Sequence, residues 1–353
     1  MSNNIKKINL NHSFIFFLFC NIFSIIIFKF TNLNISSLIC LLLILIIGVS
    51  HGALDHLKGK KLLTILNIKK SYIFYLFYIL IAISVILIIG VSHGALDHLK
   101  GKKLLTILNI KKSYIFYLFY ILIAISVILI WTVLPAITLI IFLAVASFHF
   151  GKEDTQFLIN KSSNLIPILY FLRGLLVIIT PLYFNFDETV YIFKMLLIDN
   201  EQFYSSLSFI ENYKIIEIAI GLSALSSIIL FLTEFNFKKF AILLDFFSII
   251  ILNYYLSPLV AFTIYFCFLH SIRHTISLSV EMDNTNLKNG FQLFVKKAFP
   301  LTVLTAIFCL VGLYFLNNVY ELDSAILKIT FIGLASLTFP HILLEYFLEK
   351  NEK

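Results

Sequence analysis

Charged residues are scarce in this chain. Only 13% of its 353 residues are Asp, Glu, Lys or Arg, whereas 60% are hydrophobic and the mean hydropathy is +0.98. This composition excludes a soluble globular domain. Apolar segments near the ~20 residues that cross a bilayer follow one another and leave no room for a separate soluble domain. The sequence therefore predicts a single integral-membrane helical domain over residues 1–353, of the all-α class.

Cysteine is rare as well. Cys20, Cys40, Cys267 and Cys309 lie singly in apolar segments and form no CxxC pair. The sequence thus predicts neither a disulfide framework nor a thiolate metal site. The formal net charge of +8 comes from lysines clustered in short loops, with no nucleic-acid-binding motif beside them. We interpret these lysines as membrane-orientation signals and expect no nucleic-acid partner.

Eleven apolar runs are candidates for transmembrane helices. The first run lacks the small-residue cleavage site of a signal peptide, so we expect it to remain as a helix. The runs cover residues 12–30, 35–56, 71–98, 113–131, 134–150, 164–184, 213–233, 238–256, 257–278, 297–317 and 324–348.

An internal repeat affects this number. Residues 44–88 are duplicated without a substitution as residues 86–130, with a period of 42 residues. Perfect identity indicates either a recent tandem duplication or an error of sequence assembly. Because each copy holds one apolar span, we expect about ten transmembrane helices without the extra copy and eleven with it.

The lysines also predict an orientation. With ten helices and a cytoplasmic N-terminus, the lysine-rich loops fall on the cytoplasmic side, as the positive-inside rule requires. The motifs HGALDH, SFHFGKED, HSIRH and FPHILLE then all end helices that run towards the cytoplasm. The extra copy would place two identical lysine-rich loops on opposite faces or prevent one span from crossing. We expect a multi-pass protein of the inner (plasma) membrane with its histidines near the cytoplasmic face.

These histidines form a candidate metal site. His270 and His274 are four residues apart, which stacks both rings on one helical face. His149 of SFHFGKED and His93 of the second HGALDH would add one ligand each. Four neutral imidazoles without a thiolate suit Fe, Cu, Zn or Ni, and dioxygen chemistry would favour Fe(II). The alternative interpretation is that the histidines form hydrogen bonds between helices.

Carboxylates accompany three of the histidine motifs. Asp97 follows His93 by four residues, Glu153 follows His149, and Glu345 follows His341. Metal-bound histidines usually donate their second ring N–H to such an acceptor. The spacing predicts that these acids support the histidines of their own helices. His341 itself stays open as a fifth ligand, a supporting residue or a donor in a cavity wall.

The remaining histidines have weaker patterns. His56 and His98 lie about 140° around a helix from the leading histidine of each HGALDH, so we expect them to face headgroups or a loop. His12 has the pattern of an ordinary interfacial residue.

Taken in order, the four motifs resemble the Brp/Blh family of membrane-bound β-carotene 15,15′-dioxygenases. The resemblance spans roughly residues 35–349. It implies non-haem Fe(2+) held by histidines, with β-carotene and O2 as substrates and two molecules of all-trans-retinal as product. The lipid bilayer is the partner from which the enzyme would take up β-carotene. A retinal-binding rhodopsin is the product acceptor that this chemistry suggests.

The resemblance also implies the ligands. The leading histidine of HGALDH, His149, His270 and His274 match the proposed iron ligands of that family. His93 keeps a single-copy distance to His149, whereas His51 is displaced by 42 residues and is the alternative first ligand. We therefore predict His93. Aromatic residues near the motifs are candidates for an apolar substrate tunnel, with packing against lipid or other helices as the alternative: Phe148, Phe150, Tyr265, Phe266 and Phe268.

Three other functions remain open. A membrane di-iron hydroxylase or desaturase would need about eight histidines and an HxxHH box. This chain has no HxxHH box, and only six of its nine histidines remain beyond His12 when the copied pair is discounted. A metal or proton transporter could use the histidines as a relay, although such sites tend to lie at the membrane midplane. A haem-binding bundle with two axial histidines is the third alternative.

Overall fold

The structure is a computed structural model that describes residues 3–30, 97–108, 114–159, 163–233 and 235–351. Its regular elements in these ranges are all helical, which confirms the predicted all-α class. They are α1 (Asn3–Phe30), α2 (Asp97–Ile107), α3 (Tyr114–Val133), α4 (Pro135–Thr155), α5 (Ile166–Phe184), α6 (Phe186–Met195), α7 (Glu201–Asn212), α8 (Ile215–Leu232), α9 (Phe240–Tyr255), α10 (Pro258–Ile264), a π-helical turn (Tyr265–His270), α11 (Ser271–Met282), α12 (Leu287–Asn317) and α13 (Leu322–Asn351). Two single 3₁₀ turns cover Gln156–Leu158 and Phe237–Lys239.

Six helical segments in the described ranges are long and apolar enough to cross a membrane. They are compatible with a multi-pass membrane protein. The predicted number of ten to eleven spans is not confirmed. The second predicted span and nearly all of the third lie outside the described residues, and the predicted spans 12–30, 238–256 and 297–317 are not among the six segments. The six segments are Tyr114–Val133, Pro135–Leu158, Ile166–Phe184, Ile215–Leu232, Pro258–Met282 and Leu322–Asn351.

Helices α4 and α5 approach each other through two glycines. A Cβ atom at Gly151 would lie 1.8 Å from the carbonyl oxygen of Tyr170, and one at Gly174 would lie 1.8 Å from that of Ser147. Neither position can hold a side chain without moving backbone, so the two helices pack at close range. This contact fixes the end of α4, which carries His149.

The segment Pro258–Met282 places two more histidines in one rod. Pro258 occupies the first turn of α10, where its missing N–H costs no helical hydrogen bond. The helix widens into the π-helical turn Tyr265–His270 and returns to α-helix at Ser271. His270 and His274 therefore lie on consecutive turns of one continuous element.

A short loop ends this rod. Asp283 accepts hydrogen bonds from the side chains of Asn289 and Thr285, and these bonds hold the pKa of its carboxyl well below the usual range. Asn286 caps α12 by accepting from the backbone N–H groups of Lys288 and Asn289. The caps supply partners for N–H groups that the start of a helix leaves free.

The remaining helices enclose the rod. Helix α1 packs along α9 and contacts the π-helical turn, and α13 packs against α2, α3 and α4. Outward-facing residues of α3 such as Leu118, Phe119 and Ile121 are more than half exposed, as lipid-facing side chains would be. His149 lies near the end of α4, whereas His270 and His274 lie within the rod and His341 lies within α13. These histidines meet inside the bundle.

Candidate metal centre

Four histidines from three separate segments converge in the interior. His149 lies on α4, His270 ends the π-helical turn, His274 lies on α11 and His341 lies on α13. All four are at most 5% exposed. The ring centroid of His149 lies 5.4 Å from that of His270 and 5.6 Å from that of His341, and the rings of His274 and His341 are 5.8 Å apart.

A carboxylate binds the Nδ1 atom of three of these rings. The Nδ1–oxygen distances are 2.9 Å for His270 to Asp154, 3.1 Å for His274 to Glu153 and 2.8 Å for His341 to Asp97. A carboxylate at Nδ1 favours the tautomer with its proton on that nitrogen. Each Nε2 then keeps a lone pair, which is the form of imidazole that binds a metal.

These pairs differ from the predicted ones. Glu153 hydrogen-bonds to His274 on another helix, and Asp97 bonds to His341. Residues four apart on a helix are near neighbours, but a helix that packs against them can also bring a ring within hydrogen-bond distance of the carboxylate. Glu345 does lie near His341, its predicted neighbour on the same helix. The distance from the carboxylate of Glu345 to Nε2 of His341 is 3.6 Å.

Sequence reasoning missed several residues that support this cluster. Asp154 accepts from His270 and, at 2.7 Å, from the hydroxyl of Tyr265. Arg273 binds both carboxylate oxygens of Asp245, at 2.6 and 3.0 Å, and donates to the backbone carbonyl of Asp154. Asp245 is a lone acid in an apolar helix, a pattern that already marks a functional candidate in a membrane protein.

A second group lies on the side of α2. Tyr120 donates to Asp97 at 2.7 Å, and Lys100 donates to Glu345 at 2.8 Å. Because Asp97 belongs to the second HGALDH, that motif reaches the histidine cluster. The described residues do not include His51, His56 or His93. The predicted roles of these histidines therefore remain predictions.

The charges around the rings do not balance. Among the described residues that pair with the rings or with the partners of the rings, five are carboxylates and three are cations, a formal charge of −2 when the histidines are neutral. Uncompensated charge inside a membrane protein is costly, and a divalent cation would neutralise this excess. The acids are Asp97, Glu153, Asp154, Asp245 and Glu345, and the cations are Lys100, Arg173 and Arg273.

The donor atoms also suit a metal ion. One ligand atom each from His149, His341 and Glu345 lies within 4.8 Å of the other two. Imidazole nitrogens with carboxylate support fit Fe, Zn, Cu or Ni. The residues present therefore fit a divalent metal of this class.

Some of the predicted aromatic residues surround this site. Phe150, Phe266 and Tyr265 have ring centroids 4.7, 5.8 and 6.1 Å from that of His270. Phe148 packs in another cluster with Tyr170, and Phe268 contacts Phe19 of α1. Whether the first three line a substrate tunnel stays a prediction.

The fold and site define a helical membrane protein with a buried centre of histidines and carboxylates. A family model described as Beta-carotene 15,15'-dioxygenase matches residues 84–349. The chain belongs to this family, as its motifs predicted. It is also 28% identical over 222 residues to a protein named Beta-carotene 15,15'-dioxygenase from an uncultured marine bacterium, 66A03, and the match covers 62% of this chain and 74% of that protein. No solved structure matches.

Proposed function

We propose that this chain cleaves the central 15,15′ double bond of β-carotene with O2 and yields two molecules of all-trans-retinal. Each carbon of the broken double bond gains one oxygen atom, so the reaction needs no other reductant. The observation that carries the proposal is the buried histidine cluster whose Nδ1 atoms are held by carboxylates, in a chain of this family. This cluster favours a metal-dependent oxygenase over the alternative in which the histidines only form hydrogen bonds between helices.

The proposed cofactor is Fe(2+), bound by His93, His149, His270 and His274. When bound, the iron would supply the redox activation of O2. His341 has the same support at Nδ1 as His270 and His274, so we propose it as a further nitrogen donor. Uncharged imidazoles leave the metal with its positive charge, which the surrounding carboxylates offset.

Two observations support His93 over His51 as the first ligand. The family match begins at residue 84 and so contains His93 but not His51. Asp97, four residues after His93, hydrogen-bonds to His341 inside the cluster. We therefore assign the functional HGALDH to the second copy.

The side chains around the cluster have defined tasks in this proposal. Asp154, Glu153 and Asp97 hold a proton on each Nδ1 and orient the rings. The burial of the rings excludes bulk water, which protects reactive oxygen chemistry from side reactions. Phe262, Phe266 and Phe331 are half-buried and packed against one another next to His270, and we propose that they contact the polyene.

The substrate and product fit a membrane location. β-Carotene dissolves in the hydrocarbon core, so we propose that it enters from the bilayer of the inner (plasma) membrane. Retinal, the product, is a ligand for a retinal-binding rhodopsin, which we propose as its acceptor.

Expression in a bacterium that accumulates β-carotene tests the function. The whole chain is compared with a variant lacking residues 44–85, which keeps one copy of the repeat. Both are expected to bleach the cells and yield retinal, since both keep the spacing from His93 to His149. His270→Ala in each background is the inactive control. If neither chain yields retinal although both are inserted and hold iron, the proposed activity is wrong.

A further inference from the structure

Helix α1 contacts the support of the metal centre directly. The Oγ atom of Ser13 lies 2.5 Å from Nη2 of Arg273, and Nε2 of His12 lies 2.8 Å from the backbone carbonyl oxygen of Phe268. Both residues lie far outside the region matched by the family model, which begins at residue 84. They also lie more than 250 positions from their partners in sequence.

The contact of His12 falls on the π-helical turn. π-Helical turns are rare, less favourable than α-helix and frequent at functional sites. This turn ends at His270, two residues after Phe268. A hydrogen bond from the ring of His12 gives the Phe268 carbonyl a partner outside its own helix. The bond thereby favours the widened backbone on which the position of His270 depends.

The contact of Ser13 falls on a buried ion pair. Ser13 is fully buried and donates its own hydroxyl hydrogen to the carbonyl of Asn9, at 3.0 Å, so its oxygen is oriented as an acceptor. Arg273 uses its Nη2 for Ser13 and Asp245, and its Nη1 for Asp245 and the carbonyl of Asp154. The Ser13 hydroxyl therefore helps to hold the guanidinium of Arg273 in the orientation in which it also donates to the backbone carbonyl of Asp154.

The two contacts reach the same histidine by separate routes. Asp154 binds Nδ1 of His270 at 2.9 Å, so the route from Ser13 passes through Arg273 and Asp154 to that ring. The route from His12 passes through the backbone of the π-helical turn. A misplaced His270 ring would lower the affinity for a metal bound through Nε2 of that ring, because metal sites tolerate only small errors in ligand position.

We propose that α1 is a positioning element of the metal centre, with Ser13 and His12 as positioning residues for His270. Neither touches the metal, and the inference rests on the proposed function for the existence of the metal. It adds to that function a contribution from a helix outside the matched region.

Metal affinity of the purified full-length chain tests the role of Ser13. Ser13→Ala is expected to weaken binding of added Co(II), used as a spectroscopic probe, by about 3-fold, less than the roughly 10–100-fold for direct partners of ligands, because Ser13 acts through Arg273 and Asp154. Ser13→Thr keeps the hydroxyl and is expected to restore wild-type affinity. Ser24→Ala is the matched control, because Ser24 lies on the same helix, is equally buried and has a hydroxyl without a hydrogen-bond partner among the described residues.

The role of His12 needs its own pair of variants. His12→Leu removes the donor to Phe268, whereas His12→Gln keeps an N–H donor on a side chain of similar reach. The leucine variant is expected to bind Co(II) more weakly and to shift its visible absorption bands, which report ligand geometry. The glutamine variant is expected to recover at least part of both properties.

The outcomes separate this inference from the proposed function. If wild type, Ser13→Ala and His12→Leu bind Co(II) with equal affinity and identical spectra, the positioning role is wrong while the metal centre stands. If the wild-type chain binds no Co(II), the metal centre itself is wrong and the inference falls with it. Should Ser13→Ala fail to fold, the His12→Leu and His12→Gln pair decides.

Discussion

Alanine at His270 or His274 is expected to reduce both retained iron and retinal formation to less than about a hundredth of wild type. Each change removes a nitrogen donor and leaves its carboxylate partner, Asp154 or Glu153, buried without the ring that it holds. Loss of a supporting partner alone typically costs 10–100-fold in metal affinity, so loss of a donor should cost more. Iron per chain and retinal per carotene consumed measure the two effects.

The same loss is expected for alanine at His149 and His341, whose rings face those two. His98→Ala is the matched control. It removes an imidazole at the start of α2, and His98 is not one of the proposed ligands. Wild-type iron content in the His270→Ala and His274→Ala proteins would contradict the assignment of these residues as ligands.

The second large effect distinguishes the two copies of HGALDH. His93→Ala is expected to abolish retinal formation, whereas His51→Ala is expected to leave it within about two-fold of wild type, because only the second copy contains the Asp97 that binds His341. The two variants make the same substitution in the same hexapeptide, so each serves as the control for the other.

Retinal yield from carotene-accumulating cells, normalised to membrane-inserted protein, is the measurement. An inactive His51→Ala beside an active His93→Ala would assign the site to the first copy. Equal and complete loss in both variants would mean that both copies are required.

The all-helical fold class and the membership of the family followed from short-range features of the sequence. Scarce charge and repeated apolar runs were enough to predict an all-helical membrane protein. The spacing of His270 and His274, together with His149, predicted a metal-binding cluster. The rings of His149 and His270 lie 5.4 Å apart, and the roles of these residues as ligands stay predictions. These features need only helical periodicity and hydropathy.

The carboxylate partners could not be predicted because they depend on how the helices face each other. Glu153 has His149 four residues before it, yet it pairs with His274 across a helix interface. Asp154 lies beside Glu153 in sequence but points to His270. One residue of offset turns a side chain by about 100°, so two adjacent acids necessarily serve different neighbours.

The contacts of α1 with the π-helical turn and with Arg273 were missed for a similar reason. His12 had the pattern of an interfacial residue, and its bond to Phe268 arises only because α1 packs beside the π-helical turn. The turn itself has no sequence signature. Asp245 was also missed, although a lone acid in an apolar helix is a signal that the sequence alone carries.

Retinal formation as a function of iron loading tests the central claim most directly. Metal-free purified chain is titrated with Fe(II), and the initial rate of retinal formation is measured at each ratio of iron to chain. The account predicts no retinal from metal-free protein and a rate that rises linearly to a plateau at one iron per chain. A plateau at two irons would indicate a di-iron enzyme, and retinal formation by the metal-free chain would contradict the histidine-bound iron centre.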